Sequence, residues 1–169
     1  MTSAADRRAV TFSVDLEDPR PNDRYAPRYR PGLERLLRVF ERHGVKLTVF
    51  VVGELAARDP GVVSELAEAG HEIALHSHRH VPIPSLGAEG FQDDLRRGAD
   101  TLAAITGRRP CGYRAPAFSL TAATLYAPEM LSREGFTYSS SVLPASNPIY
   151  GFQGAPEEPC RWPCGLLEL

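Results

Sequence analysis

Residues 71–80, HEIALHSHRH, decide the fold, because a short apolar run leads there directly into a histidine-rich segment. Ile73, Ala74 and Leu75 predict a buried strand that begins near His71. His76 and His80 then stand four residues apart where the strand becomes a loop. Two imidazoles can hold one divalent ion if the loop turns both rings to one side. The segment therefore predicts a strand of an α/β sheet followed by half of a metal site.

A carboxylate for such a site stands near the N-terminus. Alternating apolar side chains predict a buried strand over residues 9–15, which ends in Asp15, Glu17 and Asp18. Glu17 lies two residues after Asp15 and shares its face if the strand continues. Asp18 is better placed if the chain turns at once, as the following Pro19 indicates. Both remain candidate metal ligands, with a slight preference for Asp18.

Strand-like and helix-like segments alternate along the whole chain. Besides the two strands above, the pattern predicts strands over residues 46–52, 111–113 and 136–138, and helices over residues 33–43, 59–70, 90–106 and 121–134. This alternation predicts one domain over residues 1–169 with a parallel α/β sheet, whose ligands bind at the carboxyl ends of the strands. Asp15, His76, Arg114 and Tyr138 all fall at predicted strand ends.

Composition narrows the classes of function. A net charge of −2 and a pI of about 6.2 argue against binding to nucleic acid or to an anionic membrane surface. The longest apolar run, residues 49–52, is far shorter than the ~20 residues that span a bilayer. No apolar segment of a secretory signal follows Arg8, so we expect a cytoplasmic protein. The three cysteines do not form a disulfide framework.

Four segments resemble, in order and spacing, the motifs of the NodB-type polysaccharide deacetylases, carbohydrate esterase family 4. They are residues 13–18 (SVDLED), 76–80 (HSHRH), 114–119 (RAPAFS) and 135–141 (GFTYSSS). The resemblance runs from about residue 9 to the end of the chain and is greatest to the subgroup associated with bacterial exopolysaccharide synthesis. It implies a distorted (β/α) barrel, usually of seven strands, of which the sequence shows about five.

The resemblance also implies roles for individual residues. Asp15 would be the general base, and His76 and His80 would bind the metal together with Asp18 or Glu17. Zn²⁺ is the expected ion, and Mn²⁺ or Co²⁺ can serve. The substrate would be an N-acetylated saccharide.

Four further residues are assigned to the substrate side of the site. Arg114 would orient the base or contact the substrate. The backbone N–H of Tyr138 would help to stabilise the oxyanion of the attacked amide. Tyr113 and Phe118 would pack either against a sugar or in the core.

The chain departs from the family pattern in three ways. All five histidines lie at or before residue 80, so the family's late acid histidine has no match. Ser139 stands where relatives commonly have an Asp that holds the motif-three arginine, so we expect Arg114 to lack its anionic partner. The expected C-terminal strands are missing, which predicts a truncated domain with an open barrel edge through which it can self-associate.

The sequence is also compatible with two other functions. One is hydrolysis of a small non-sugar amide, as in allantoinases, which share the barrel. The other is a truncated, non-catalytic sugar-binding remnant.

Overall fold

A computed structural model describes residues 10–18, 20, 24, 26–146 and 149–169, so residue 9 of the first predicted strand lies outside the described part. Strands and helices alternate along the chain as predicted. In chain order the elements are β1 (Ser13–Leu16), α1 (Tyr29–Arg42), β2 (Thr48–Val51), α2 (Gly53–Arg58), α3 (Pro60–Glu68), β3 (Glu72–Leu75), α4 (Ile83–Thr106), β4 (Gly112–Tyr113), α5 (Ala127–Arg133), β5 (Tyr138–Ser139), β6 (Cys160–Arg161) and β7 (Leu167–Glu168).

All the strands join one seven-stranded sheet in the order β1-β2-β3-β4-β5-β7-β6. Every neighbouring pair is parallel except β6 and β7, which are antiparallel. The predicted α/β architecture with a parallel sheet of the (β/α) barrel type is thereby confirmed. Two short strands, β6 and β7, add to the five that the sequence predicts. In the part of the chain that the structure describes, β1 and β6 form the edges of the sheet.

The register of the strands decides which side chains face the helices. Leu16, Val51, Leu75 and Tyr113 pair in one row across β1 to β4, and all four are buried in the apolar core. Because successive side chains of a strand alternate between faces, the residue after each of them belongs to the opposite face. Glu17, His76 and Arg114 follow three of these residues and thus share one face at the carboxyl ends of their strands.

The helices differ from the sequence-based prediction in their bounds. α4 begins seven residues before Gly90 and contains a break at Gly87, whose φ of 65° and ψ of 179° are not helical. The predicted helix over residues 121–134 is divided into a 3₁₀ turn (Ala122–Thr124) and α5. Pro128 lies in the first turn of α5, where backbone N–H groups make no hydrogen bond within the helix, so the N–H that proline lacks is not needed there. Across the described residues, no helix combines the length and the apolar character that crossing a bilayer requires.

Candidate metal centre and catalytic site

Glu17, His76 and His80 bring one carboxylate and two imidazoles together at the carboxyl ends of β1 and β3. Their ligand atoms all lie within 4.8 Å of one another. Nε2 of His80 is 2.6 Å from Oε2 of Glu17, and the two imidazole centroids are 4.9 Å apart. This donor set, with solvent on the side of the exposed His80, fits a divalent ion such as Zn²⁺, Mn²⁺ or Co²⁺. The three residues therefore form a possible metal site.

The environment of His76 prepares its ring to act as a ligand. Its Nδ1 lies 2.8 Å from the carbonyl oxygen of Arg114, so the N–H of the ring is donated there and the lone pair is on Nε2. Burial lowers the pKa of His76, which outweighs the nearby Asp15 carboxylate that would raise it. The ring is thus held neutral, which is the form that binds a metal.

Asp15 lies beside this cluster and is held by Arg114. Nη1 of Arg114 donates to Oδ1 of Asp15 at 2.8 Å, while Nη2 donates to the hydroxyls of Ser13 at 2.9 Å and Ser140 at 3.0 Å. The guanidinium carbon also lies 4.1 Å from the centroid of the Phe50 ring, which adds a cation–π contact. Asp15 Oδ2 points towards Nε2 of His76, 3.8 Å away.

These contacts correct the expectation that Arg114 lacks an anionic partner because position 139 is a serine. Ser139 is fully buried, and its hydroxyl donates to Ser141 Oγ at 2.8 Å. It lies on the face of β5 opposite to Ser140, so the neighbouring residue is the one that reaches Arg114. The carboxylate of Asp15 itself supplies the negative charge.

Asp18, which the sequence slightly favours as the metal ligand, is directed elsewhere. Its carboxylate accepts hydrogen bonds from Nε of Arg20 at 2.8 Å and from Nη2 at 2.6 Å, and Arg58 of α2 lies 3.6 Å away. The hydrogen bond with Arg20 lowers the pKa of Asp18. The preference is therefore corrected: β1 stays extended to Leu16, and Glu17 keeps the face of Asp15.

Tyr138 does not present its backbone N–H to the site. That N–H points to the carbonyl of Cys111 at 3.4 Å, inside the sheet, which corrects its assignment to the oxyanion. The phenol donates to Oε1 of Glu72 at 2.9 Å, at the amino end of β3, away from the metal ligands. Burial, with the charge of Glu72, raises the pKa of Tyr138. Its role is to fill the inner face of the sheet.

The two aromatic residues proposed for sugar contact have different positions. Tyr113 is completely buried among the helices, with its ring 5.8 Å from Phe91 and 6.0 Å from Phe136, so its assignment to the substrate is corrected to core packing. Burial raises its pKa well above the usual value. Phe118 is half-buried, and its ring centroid lies 5.6 Å from the guanidinium carbon of Arg114. Its contact with a sugar stays a prediction.

The structure adds features that the sequence analysis missed. Ser77 and His80 have φ angles of 62° and 57°, in the left-handed region, which costs about 1–3 kcal/mol for each residue other than glycine. The buried carboxylate of Asp94 lies against the same loop. The sequence does carry a signal for this contact, since Asp94 stands beside Leu95 in the apolar stripe of α4. A carboxylate at such a buried position is rarely unpaired, so its presence indicates a polar partner.

Comparison with known proteins identifies the family of the chain. The sequence model of the polysaccharide deacetylase family matches residues 20–135. The chain belongs to this family. A peptidoglycan deacetylase-like protein of Gibberella zeae is 33% identical over 115 residues, which cover 67% of this chain and 33% of that protein. The chain spans about a third of the length of the curated relatives of Gibberella zeae and Helicobacter pylori that it matches.

Solved structures show the same fold. A candidate polysaccharide deacetylase from Mycobacterium smegmatis aligns with a TM-score of 0.74 and 28% identity, covering 94% of this chain and 57% of that one. The Puue allantoinase aligns with a TM-score of 0.66 over 94% of this chain and 60% of its own, and at 19% identity it shares the fold alone.

Proposed function

We propose that the chain is a metal-dependent hydrolase that removes N-acetyl groups from an amino-sugar polysaccharide or its saccharide precursor. The observation that carries the proposal is the cluster of Glu17, His76 and His80 directly beside the ion pair of Asp15 and Arg114. Membership of the polysaccharide deacetylase family supports the choice of an acetylated saccharide as substrate.

The residues divide into those that hold the metal and those that handle protons. Glu17, His76 and His80 would hold a divalent ion, which supplies Lewis acidity for the amide carbonyl and for the attacking water. Asp15 accepts the proton of that water through Oδ2, since Oδ1 is bound by Arg114. Arg114 fixes the direction of the carboxylate through its hydrogen bond to Oδ1, which is a positioning role.

The amine that leaves needs a proton when the C–N bond breaks. Residues 81–169 contain no histidine, and the candidate acid is the carboxyl group of Asp15 itself. Asp15, protonated in the first step, returns its proton to the amine nitrogen as the acetate separates. One carboxyl group thus serves as base and then as acid.

The test is release of acetate from N-acetylglucosamine oligomers by the chain loaded with Zn²⁺, Mn²⁺ or Co²⁺. Asp15→Asn should lower the rate by about 10²–10⁴-fold, the usual contribution of a general base. Asp93→Asn is the matched control, because Asp93 is an exposed carboxylate on α4. Allantoin is the comparison substrate. Formation of allantoate without release of acetate would contradict the proposal in favour of a ureide hydrolase, and neither product in a metal-loaded sample would favour a non-catalytic chain.

Several finer assignments stay predictions within this proposal. They are zinc as the ion, an exopolysaccharide or its precursor as the substrate, and the cytoplasm as the compartment. Self-association through an open edge is also a prediction, and the edge position of β1 beside the exposed Val10 and Phe12 is the feature that supports it. Sedimentation at increasing concentration checks it.

A further inference from the structure

A fully buried carboxylate contacts the loop that joins the two histidine ligands. Asp94 lies on α4, and its side chain has 0% exposure. Its Oδ2 accepts the hydroxyl of Ser77 at 2.7 Å and the backbone N–H of His78 at 2.7 Å. Its Oδ1 accepts the backbone N–H of Arg79 at 3.2 Å. The donors of three consecutive loop residues therefore meet on one carboxylate.

These three residues form the turn between the metal ligands His76 and His80. Ser77, the first residue of the turn, and His80, the ligand that directly follows it, both have left-handed φ angles that side chains disfavour. A short segment keeps such a conformation only when its surroundings determine it. Ser77 links the turn further, because its Oγ also accepts the N–H of Val81 at 3.3 Å.

The opposite side of the turn is held by the start of α2. The N–H of Gly53 donates to the carbonyl of Ser77 at 3.0 Å, and the N–H of Glu54 donates to the carbonyl of His78 at 2.8 Å. A Cβ at position 53 would collide with the His78 side chain, so the glycine permits this approach. The donors of the turn thus face α4 and its acceptors face α2.

We propose that Asp94 is a positioning residue for the metal centre, acting through the 77–79 turn to set the separation of His76 and His80. The inference rests on the proposed function, since it assumes that these histidines bind an ion. Asp94 contacts neither histidine ring among the described hydrogen bonds, so it acts on the ligands through the backbone. Its loss should weaken metal binding in a chain that is still folded.

The test is the dissociation constant for Zn²⁺, measured by competition with a chromophoric chelator, for the whole chain and for Asp94→Asn. The asparagine keeps the volume but turns an NH₂ group towards the donors of the turn. We expect a dissociation constant raised about 10–100-fold, as for other residues that orient metal ligands. Asp93→Asn, an exposed neighbour on α4, should bind like the wild type.

A second control separates positioning from loss of stability. Glu134 accepts hydrogen bonds from Gln92 at 2.9 Å and Arg96 at 3.0 Å, and thereby connects α4 to the end of α5 without a hydrogen bond to residues 77–79 in the described part of the chain. Glu134→Gln should lower the melting temperature and leave the dissociation constant unchanged. An Asp94→Asn chain with wild-type affinity would overturn the inference while the proposed function stood.

The remaining outcomes are also decisive. A folded wild-type chain that binds no divalent ion would overturn the proposed function and this inference together. If Asp94→Asn does not fold, Ser77→Ala removes one of the same contacts with a smaller change to the core. Weaker Zn²⁺ binding by Ser77→Ala supports the inference, and unchanged binding overturns it.

Discussion

Gly98 lies where α4 crosses β3, directly against Leu75, the residue before His76. A methyl group at position 98 would be 2.5 Å from Cδ1 of Leu75, 3.0 Å from Cδ2 and 3.3 Å from Cγ. Carbon atoms pack at about 3.5–4.0 Å, so Leu75 would have to move. It is completely buried and paired with Val51 and Tyr113 in the sheet, which leaves it no space. We therefore expect Gly98→Ala to destabilise the protein.

The magnitude follows from two opposing effects. Alanine gains about 1 kcal/mol over glycine in a helix, whereas an extra methyl group in a packed core costs about 1–3 kcal/mol. Because three Leu75 atoms are too close rather than one, we place the packing cost at the upper end, which leaves a net loss of about 1–2 kcal/mol. Urea unfolding followed by circular dichroism measures this free energy.

Gly90 provides the matched control on the same helix. A Cβ there would meet Leu86 at 3.6 Å, an ordinary contact, so Gly90→Ala should stabilise the chain by up to about 1 kcal/mol. The two free energies then differ by about 2–3 kcal/mol, which at about 2–4 °C per kcal/mol for a chain of this size separates the melting temperatures by about 4–12 °C. A Gly98→Ala chain as stable as Gly90→Ala would refute the described packing of α4 on β3.

Four further substitutions test the site and its surroundings. Glu17→Gln should abolish binding of Zn²⁺ in equilibrium dialysis while Asp18→Asn retains it; the reverse result would return the ligand role to Asp18. Arg114→Lys should lower the rate of acetate release about 10²-fold because a lysine cannot hold the general base in the same direction, and an unchanged rate would contradict that role. Arg30 holds the pKa of Asp59 at about 2, below its ordinary value of 3.8, so this carboxylate stabilises the fold above about pH 4 and loses that effect as the pH falls towards 2. In urea unfolding, Asp59→Asn should be less stable than the wild type by about 1 kcal/mol at pH 6, a value reduced to allow for the partial exposure of the ion pair. The difference in the free energy of unfolding should disappear near pH 2. A difference that stays constant with pH would contradict the ion pair.

The fold could be predicted because its strands carry local signals. Apolar runs of β-branched and aromatic residues indicate β2 and β3, and Asp59-Pro60 indicates the start of α3. β6 and β7 have two residues each, and strands that short depend on their neighbours in the sheet rather than on a pattern of their own. α2 follows β2 after one residue and has six residues, too few for a helical period to appear.

The site was predictable to the level of motifs but not of contacts. The spacing of His76 and His80 indicates that they act together, and the structure places them together. Asp18 is directed away from the site by Arg20, two residues later, and Arg58 of α2 adds a contact from forty residues away in the sequence. The contribution of Arg58 depends on the tertiary fold, which no local pattern shows. Asp94 is a similar case, since its partners lie 15–17 residues before it.

Asp59 shows the same difference between a local and a tertiary partner. It occupies the N-cap position of α3, directly before Pro60. Its carboxylate, however, makes no capping hydrogen bond and instead accepts from Arg30 at 2.6 and 2.7 Å and from Tyr29 at 2.8 Å. A charged donor from another helix forms a stronger bond than a backbone N–H at the helix end.

The most direct test of the central claim is the zinc content of the purified chain after dialysis against Zn²⁺, measured together with His76→Ala and His43→Ala. His43 is exposed at the end of α1, so its loss controls for nonspecific binding to imidazole. We expect about one zinc per chain for the wild type and for His43→Ala, and none for His76→Ala. A folded wild type without zinc, or a His76→Ala chain that keeps it, would contradict a metal centre formed by Glu17, His76 and His80.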